Sequence, residues 1–160
     1  MVKVLVVRDS NTKSVFAHAV PRKGVSEDAY AVDMLVADVM WLGYSRVILK
    51  SDNEPSIKTL LGVALRALKV GEIAQVMEES PPPYDSQAND GIEIGVKLVR
   101  GIVRTLKSCI EERVQMGIPA DHPMIAWVVQ HAALLLTTRC LLYTSPSPRD
   151  LARSRMPSSA

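Results

Sequence analysis

The stretch from Arg46 to Ser56, "RVILKSDNEPS", sets an apolar run directly before two acids and a proline. Val47, Ile48 and Leu49 predict a strand over residues 46–50, and its composition predicts burial on both faces. Asp52 and Glu54 then stand where that strand ends. A carboxylate at a strand terminus is either a solvated turn group or part of a metal-binding or catalytic platform. The surrounding chain distinguishes the two.

Downstream, Ile57 to Leu68 carries apolar residues at helical spacing, and Ile73 to Met77 reads as another short strand. Upstream, Val2 to Val7 and Ser14 to Val20 are two strand-like runs separated by the turn residues Asp9, Ser10 and Asn11, which predicts a hairpin. Pro21 to Gly24 ends it. Ser26 is placed as a helix N-cap with Glu27 and Asp28 in the first turn, and the apolar pattern from Ala29 runs to Leu42, stopped by Gly43. After a polar, proline-rich loop over Glu79 to Gly91, a long helix is expected from Ile92 to about Met116. Gly117 and Pro119 break it, and a final helix follows Asp121 to about Arg139. Hairpin, helix, strand, helix and strand in this order predict an α/β domain with a mixed sheet flanked by helices.

One domain accounts for the 160 residues, and 48% apolar content is enough for a full core. The segment 140–160 stands apart. "CLLYTSPSPRD" resembles a translated reading frame of a commercial transposase-type sequencing adaptor, and "SRMPSSA" resembles the adjoining adaptor end. The alternative is a genuine Ser/Pro/Arg-rich disordered tail. Residues 1–139 are therefore taken as the domain and 140–160 as an artefactual tail. The whole chain has 19 basic and 17 acidic residues; without the tail's Arg149, Arg153, Arg155 and Asp150, 16 of each remain. A neutral body has no global field to attract nucleic acid, so any such binding must come from a local patch.

Outside the tail Cys109 is the single cysteine, which forms no internal disulfide and suits a reducing compartment. The N-terminus does not resemble a secretory signal, because Val4 to Val7 ends at Arg8 and Asp9. The apolar stretch Met124 to Leu136 is interrupted by Gln130 and His131 and is too short to span a bilayer. A glycine-rich phosphate loop is not present, which disfavours nucleotide binding. His18, His122 and His131 show no metal-ligand spacing and read as structural. Trp41 and Trp127 read as core or interface residues on helix faces.

Local charge is concentrated on the long helix. At about 100° per residue, Glu93, Lys97, Arg100, Arg104 and Lys107 fall within an arc of roughly 80°. Ile92, Val96, Val99, Val103, Leu106 and Ile110 face another side, so the helix presents a carboxylate followed by four cations. Such a stripe suits an acid that holds a metal with cations that neutralise successive phosphates. It is also the pattern of an ordinary solvated helix face.

"SDN" closing a strand, followed by "PYDSQANDGIE" opening a helix, resembles the catalytic core of retroviral and copia-type retrotransposon integrases, which share a ribonuclease H-like fold. The family loop, roughly P-Y-x-x-Q-x-x-G-x-x-E, falls on Pro83, Tyr84, Gln87, Asp90 and Glu93, with Asp90 at the family glycine and Gly91 one place later. The resemblance covers about Val2 to Arg139. It implies that Asp52 and Glu93, with forty residues between them, match the second and third acids of a two-Asp, one-Glu triad. It further implies Mg²⁺ or Mn²⁺ as cofactor, bound as a pair of ions about 4 Å apart. DNA contacts are implied for Tyr84 and Gln87, and the basic stripe of Lys97, Arg100, Arg104 and Lys107 would join them.

Asp9 matches a noncatalytic turn acid. The triad's first Asp and its strand would lie upstream of "VLVVRDS", so the expectation is a core truncated at its first strand, inactive as written and with a sheet edge uncovered. Glu54 could substitute as a ligand near Asp52, although a turn role is the simpler reading; Asp85 and Asp90 suit turn chemistry. The function expected is that of a retroelement integrase fragment, from a Pol polyprotein, that joins element DNA to target DNA. Its expected partners are DNA and, in the full-length protein, further copies of itself, with no membrane; its location is intracellular, in the nucleus or an element particle. Two alternatives stand beside it: a noncatalytic nucleic-acid-binding or assembly module on the same fold, or an unrelated α/β domain.

Overall fold

The computed structural model describes residues 2–52, 54–70, 73–79 and 90–140. Its elements in chain order are β1 (Lys3–Arg8), β2 (Val15–Val20), α1 (Tyr30–Leu42), β3 (Arg46–Lys50), α2 (Pro55–Val70), β4 (Gln75–Glu79), α3 (Asp90–Val114) and α4 (Met124–Leu135). A π-helical turn, Leu136–Cys140, follows α4. The strand, helix, strand order therefore matches the sequence reading to within a few residues at each boundary. Of the loop expected over Glu79 to Gly91, Glu79 ends β4 and Asp90 and Gly91 open α3, while 80–89 lie outside the described residues, as does the expected 140–160 tail beyond Cys140.

β1 and β2 form an antiparallel hairpin with Lys3 opposite Val20 and Arg8 opposite Val15, while β3 and β4 pair in parallel with Arg46 opposite Gln75. Both pairing senses of a mixed α/β arrangement are present. Among the described residues, however, the strands form two separate pairs rather than one continuous sheet. One helical layer unites them. Ala31, Val32, Leu35 and Val39 of α1 and Leu60, Leu61, Ala64 and Leu68 of α2 form a core that takes in Leu5 and Val7 from β1 and Val47, Leu49 and Val76 from the second pair. Full burial of one such aliphatic side chain contributes on the order of 1.5–3 kcal/mol, so this shared core is what holds the two pairs in one body.

The flanks of β3 pin the pairs together at both ends. Tyr44, just before β3, donates its hydroxyl to Asp9 Oδ2 (2.9 Å) beyond the end of β1, and Lys23 beyond β2 bonds Glu54 Oε1 (3.0 Å) beyond β3. The other face of the hairpin carries a second core. Val15 and Ala17 of β2, with Val6 of β1 beside them, pack there against Val99 of α3 and Ile125, Val129, Ala133 and Leu136. Strand alternation explains the division, since odd residues of β1 turn to α1 and α2 and even ones to α3 and α4.

Two sequence expectations are corrected. β3 is covered on one face only: Ile48 is 54% exposed and its neighbour Met77 is 49% exposed. Its apolar run reflects strand propensity as well as burial. Helix α1 begins from Ala29, a left-handed residue with φ 51° and no side-chain cap, rather than from Ser26. Ser26 instead uses its carbonyl to accept from the Ala29 N–H at 3.0 Å, closing a turn that precedes the helix. The C-terminal stop at Gly43 is as expected: its φ is 68° and its N–H donates to Met40 O.

Candidate functional site

Helix α3 separates its faces as the spacing predicts. Val99 is buried, Glu93, Lys97, Arg100 and Arg104 are exposed, and Lys107 is half-buried. Two of the four cations already have acidic neighbours one turn away. Lys97 lies 3.9 Å from Glu93, and Lys107 lies 3.1 Å from Glu111. Glu111 also accepts from the Ile118 N–H at 2.6 Å, and these bonds, the backbone one first, hold its carboxyl below the usual range. Arg100 and Arg104 make no ion pair among the described residues, which leaves them as the cations with most to gain from a phosphate.

The acids are held by different neighbours. Asp52 is exposed and follows the C-terminal end of β3, with its carbonyl accepting from Ser51 Oγ at 3.2 Å. Glu93 stands in the first turn of α3. Tyr84 and Gln87 lie outside the described residues. Glu54, weighed as a substitute ligand, bonds Lys23 and accepts from Ser56 Oγ at 2.8 Å. The Ser56 hydroxyl, then Lys23, lower its carboxyl pKa. Its carbonyl receives the Ile57 and Lys58 N–H groups, so Glu54 opens α2 in the manner of a cap.

Asp9 serves the hairpin turn, as expected. Burial alone would raise its carboxyl pKa, but hydrogen bonds from Thr12, Tyr44 and Asn11 outweigh it and hold the group low. The Thr12 N–H and hydroxyl approach at 2.8 and 2.6 Å. That carboxylate is fully engaged in structure.

The carboxylates of Asp52 and Glu93 are hard oxygen donors of the kind Mg²⁺ and Mn²⁺ prefer. Among the described residues, however, no group of three or more His, Cys, Asp or Glu side chains is arranged to hold a metal ion. The donor chemistry of the two carboxylates fits the metal.

Three features were not legible in the sequence. Arg8, at the end of β1, donates from Nη1 to the Gly91 carbonyl at the start of α3. Thr137 bonds both backbone groups of Val15. A cavity of about 460 Å³ lies beside β2, lined by residues including Phe16, His18, Trp41, Trp127 and His131. Trp127 stacks on His131 with ring centroids 4.7 Å apart, and Phe16 meets Trp41 edge-on at 5.4 Å. Trp41 is 67% and Trp127 55% exposed, so neither is a core residue.

This mixed α/β arrangement is similar in fold to an integrase catalytic core, which is of the ribonuclease H-like type. The chain superposes on the catalytic core domain of BIV integrase with a TM-score of 0.57 and 15% identity, covering 86% of this chain and 76% of that one. It also matches a chain of the simian T-cell lymphotropic virus intasome, solved in complex with PP2A regulatory subunit B56 gamma. That TM-score is 0.60 at 16% identity, over 84% of this chain but only 42% of the other, so the chain spans about two fifths of that protein's length. No protein-family model matches the sequence, and no curated protein matches it. No helix among the described residues is long and apolar enough to cross a membrane.

Proposed function

We propose that this chain is part of the catalytic core of a retroelement integrase, related to the enzymes that join element DNA to target DNA, and that by itself it binds DNA without completing strand transfer. The exposed row of cations on α3, headed by Glu93 and carried on this fold, is the observation that supports the reading most directly. Arg100 and Arg104 would grip phosphates, with Lys97 and Lys107, each beside a glutamate, contributing less. Tyr84 and Gln87, in the sequence before α3, would extend the contact.

Asp52 and Glu93 are the residues that would hold divalent metal. When bound, a pair of Mg²⁺ ions would activate the attacking oxygen and stabilise the leaving one. The chain's own residues orient the backbone and neutralise its charge. Asp52 and Glu93 match two of the three acids that the resemblance calls for, and the reading accordingly assigns no turnover to this chain alone. In the full-length protein, encoded within a Pol polyprotein, the core would act as a homo-oligomer on DNA, in the nucleus or an element particle.

A noncatalytic nucleic-acid-binding or assembly module on the same fold is the second reading, since the cations exposed on α3 would serve it equally and it asks nothing of Asp52. Mn²⁺ separates the two: the integrase reading expects paramagnetic broadening at Asp52 and Glu93, and the module reading expects none. The primary test is fluorescence anisotropy with a labelled DNA duplex across a salt series, alongside a strand-transfer assay with Mg²⁺. Binding that weakens steeply with salt and no joined product is the expected result. Absence of DNA binding at low salt overturns both DNA-based readings, and joined product overturns the assignment of inactivity.

A further inference from the structure

Arg8 is a cation where the pattern of β1 calls for an apolar residue. It shares the strand face of Val6, which packs into the core beneath α3 and α4. A guanidinium there must find acceptors or lose stability. Its Nη1 donates to the Gly91 carbonyl, whereas its Nε is buried with no hydrogen-bond partner among the described residues. The aliphatic stem lies against Gly95, where an added Cβ would stand 3.1 Å from Arg8 Cδ and 3.7 Å from Arg8 Cβ. The helix therefore has a notch at Gly95 that the Arg8 stem fills and an acceptor at Gly91 that its head reaches.

The placement opposes the helix dipole, because a cation beside a helix N-terminus is disfavoured. Asp90 and Glu93 in the same turn offset that charge. Arg8 takes a backbone carbonyl and makes no ion pair with either acid within 4.0 Å. The clasp thus ties down the turn without occupying the Glu93 carboxylate.

We propose that Arg8 is a positioning residue that holds the first turn of α3, and with it Glu93, against the end of β1. The consequence for metal binding rests on the integrase reading; the clasp itself does not. The test is amide hydrogen exchange on the whole chain, followed at residues 94–97, whose N–H groups donate to the carbonyls of residues 90–93. Arg8→Met is expected to speed exchange there by roughly tenfold while Val103 to Leu106 change little, because local opening is decoupled from the rest of the helix. Arg8→Lys, which keeps a donor in reach, restores most of the protection. Gly95→Val, which fills the notch, reproduces the Arg8→Met pattern.

Exchange in Arg8→Met within about twofold of the parent, or a rise spread evenly along α3, overturns the proposal. So does a failure of Arg8→Lys to rescue. A parallel Mn²⁺ titration reads the other half. Broadening at Glu93 in the parent that weakens in Arg8→Met supports its role toward the metal. No broadening in the parent removes the integrase reading and leaves the clasp to be judged on exchange alone.

Discussion

The Thr137 hydroxyl donates to the Val15 carbonyl at 2.8 Å and accepts from the Val15 N–H at 2.9 Å. Both bonds go to outward-facing backbone groups of β2, so the π-helical turn after α4 closes an edge that would otherwise be open to another strand. Thr137→Val keeps the shape and removes both bonds to Val15, which is only 3% exposed. A loss of about 1–3 kcal/mol is expected from urea unfolding, the cost of stranding buried backbone groups. Thr137→Ser is expected to recover most of it.

The Asp9 carboxylate gives a pH signature. Its folded pKa is depressed by the Thr12, Tyr44 and Asn11 bonds against the opposing effect of burial. Its contribution to stability is therefore complete above the unfolded value of about 3.9 and is lost as pH falls through the lower folded value. Stability of the parent and of Asp9→Asn should differ at neutral pH and converge at strongly acidic pH. Tyr44→Phe, which removes one donor, should raise the Asp9 pKa in an NMR titration and cost about 0.5–1.5 kcal/mol.

His18 and Asp38 form a largely buried pair joining β2 to α1, with Nε2 to Oδ2 at 2.9 Å and to Oδ1 at 3.1 Å. The other ring nitrogen, Nδ1, is buried without a partner among the described residues. Asp38→Ala removes the acceptor and leaves a second ring nitrogen unsatisfied. The expected loss is about 1–3 kcal/mol by chemical denaturation. His18→Phe combined with Asp38→Leu should recover part of it, since an apolar pair carries no unsatisfied groups.

The cations of α3 should separate by the salt dependence of DNA binding. Arg100→Ala and Arg104→Ala are each expected to reduce the slope of log K against log salt by about 1, as loss of one phosphate contact does. Lys107→Ala should change it less, because Glu111 already neutralises that charge at 3.1 Å. Equal effects from all three would show that the Glu111 pair opens on binding.

Much of the site's local logic was readable without coordinates. The charged row on α3 follows from a helical period, and the end of β3 at Lys50, just before Asp52, from an apolar run meeting polar residues, because both are properties of neighbours in sequence. The cap of α1 was misread because Ser26 has the right chemistry for a cap, yet the chain turns left-handed at Ala29 before the helix starts. The exposed face of β3 was missed for a related reason: strand propensity and burial favour the same residues.

Sequence by itself determined the order and kind of the elements, the amphipathic division of α3 and the turn role of Asp9, since each depends on residues within one or two turns of the chain. Tertiary structure alone decided that, among the described residues, β3 and β4 pair apart from the hairpin, that Arg8 fits the notch at Gly95, and that Thr137 closes the edge of β2 at Val15. Those partners lie 87 and 122 positions apart in the chain. No local preference encodes which backbone groups meet across such distances; that follows from how the two cores bring α3 and α4 onto the hairpin.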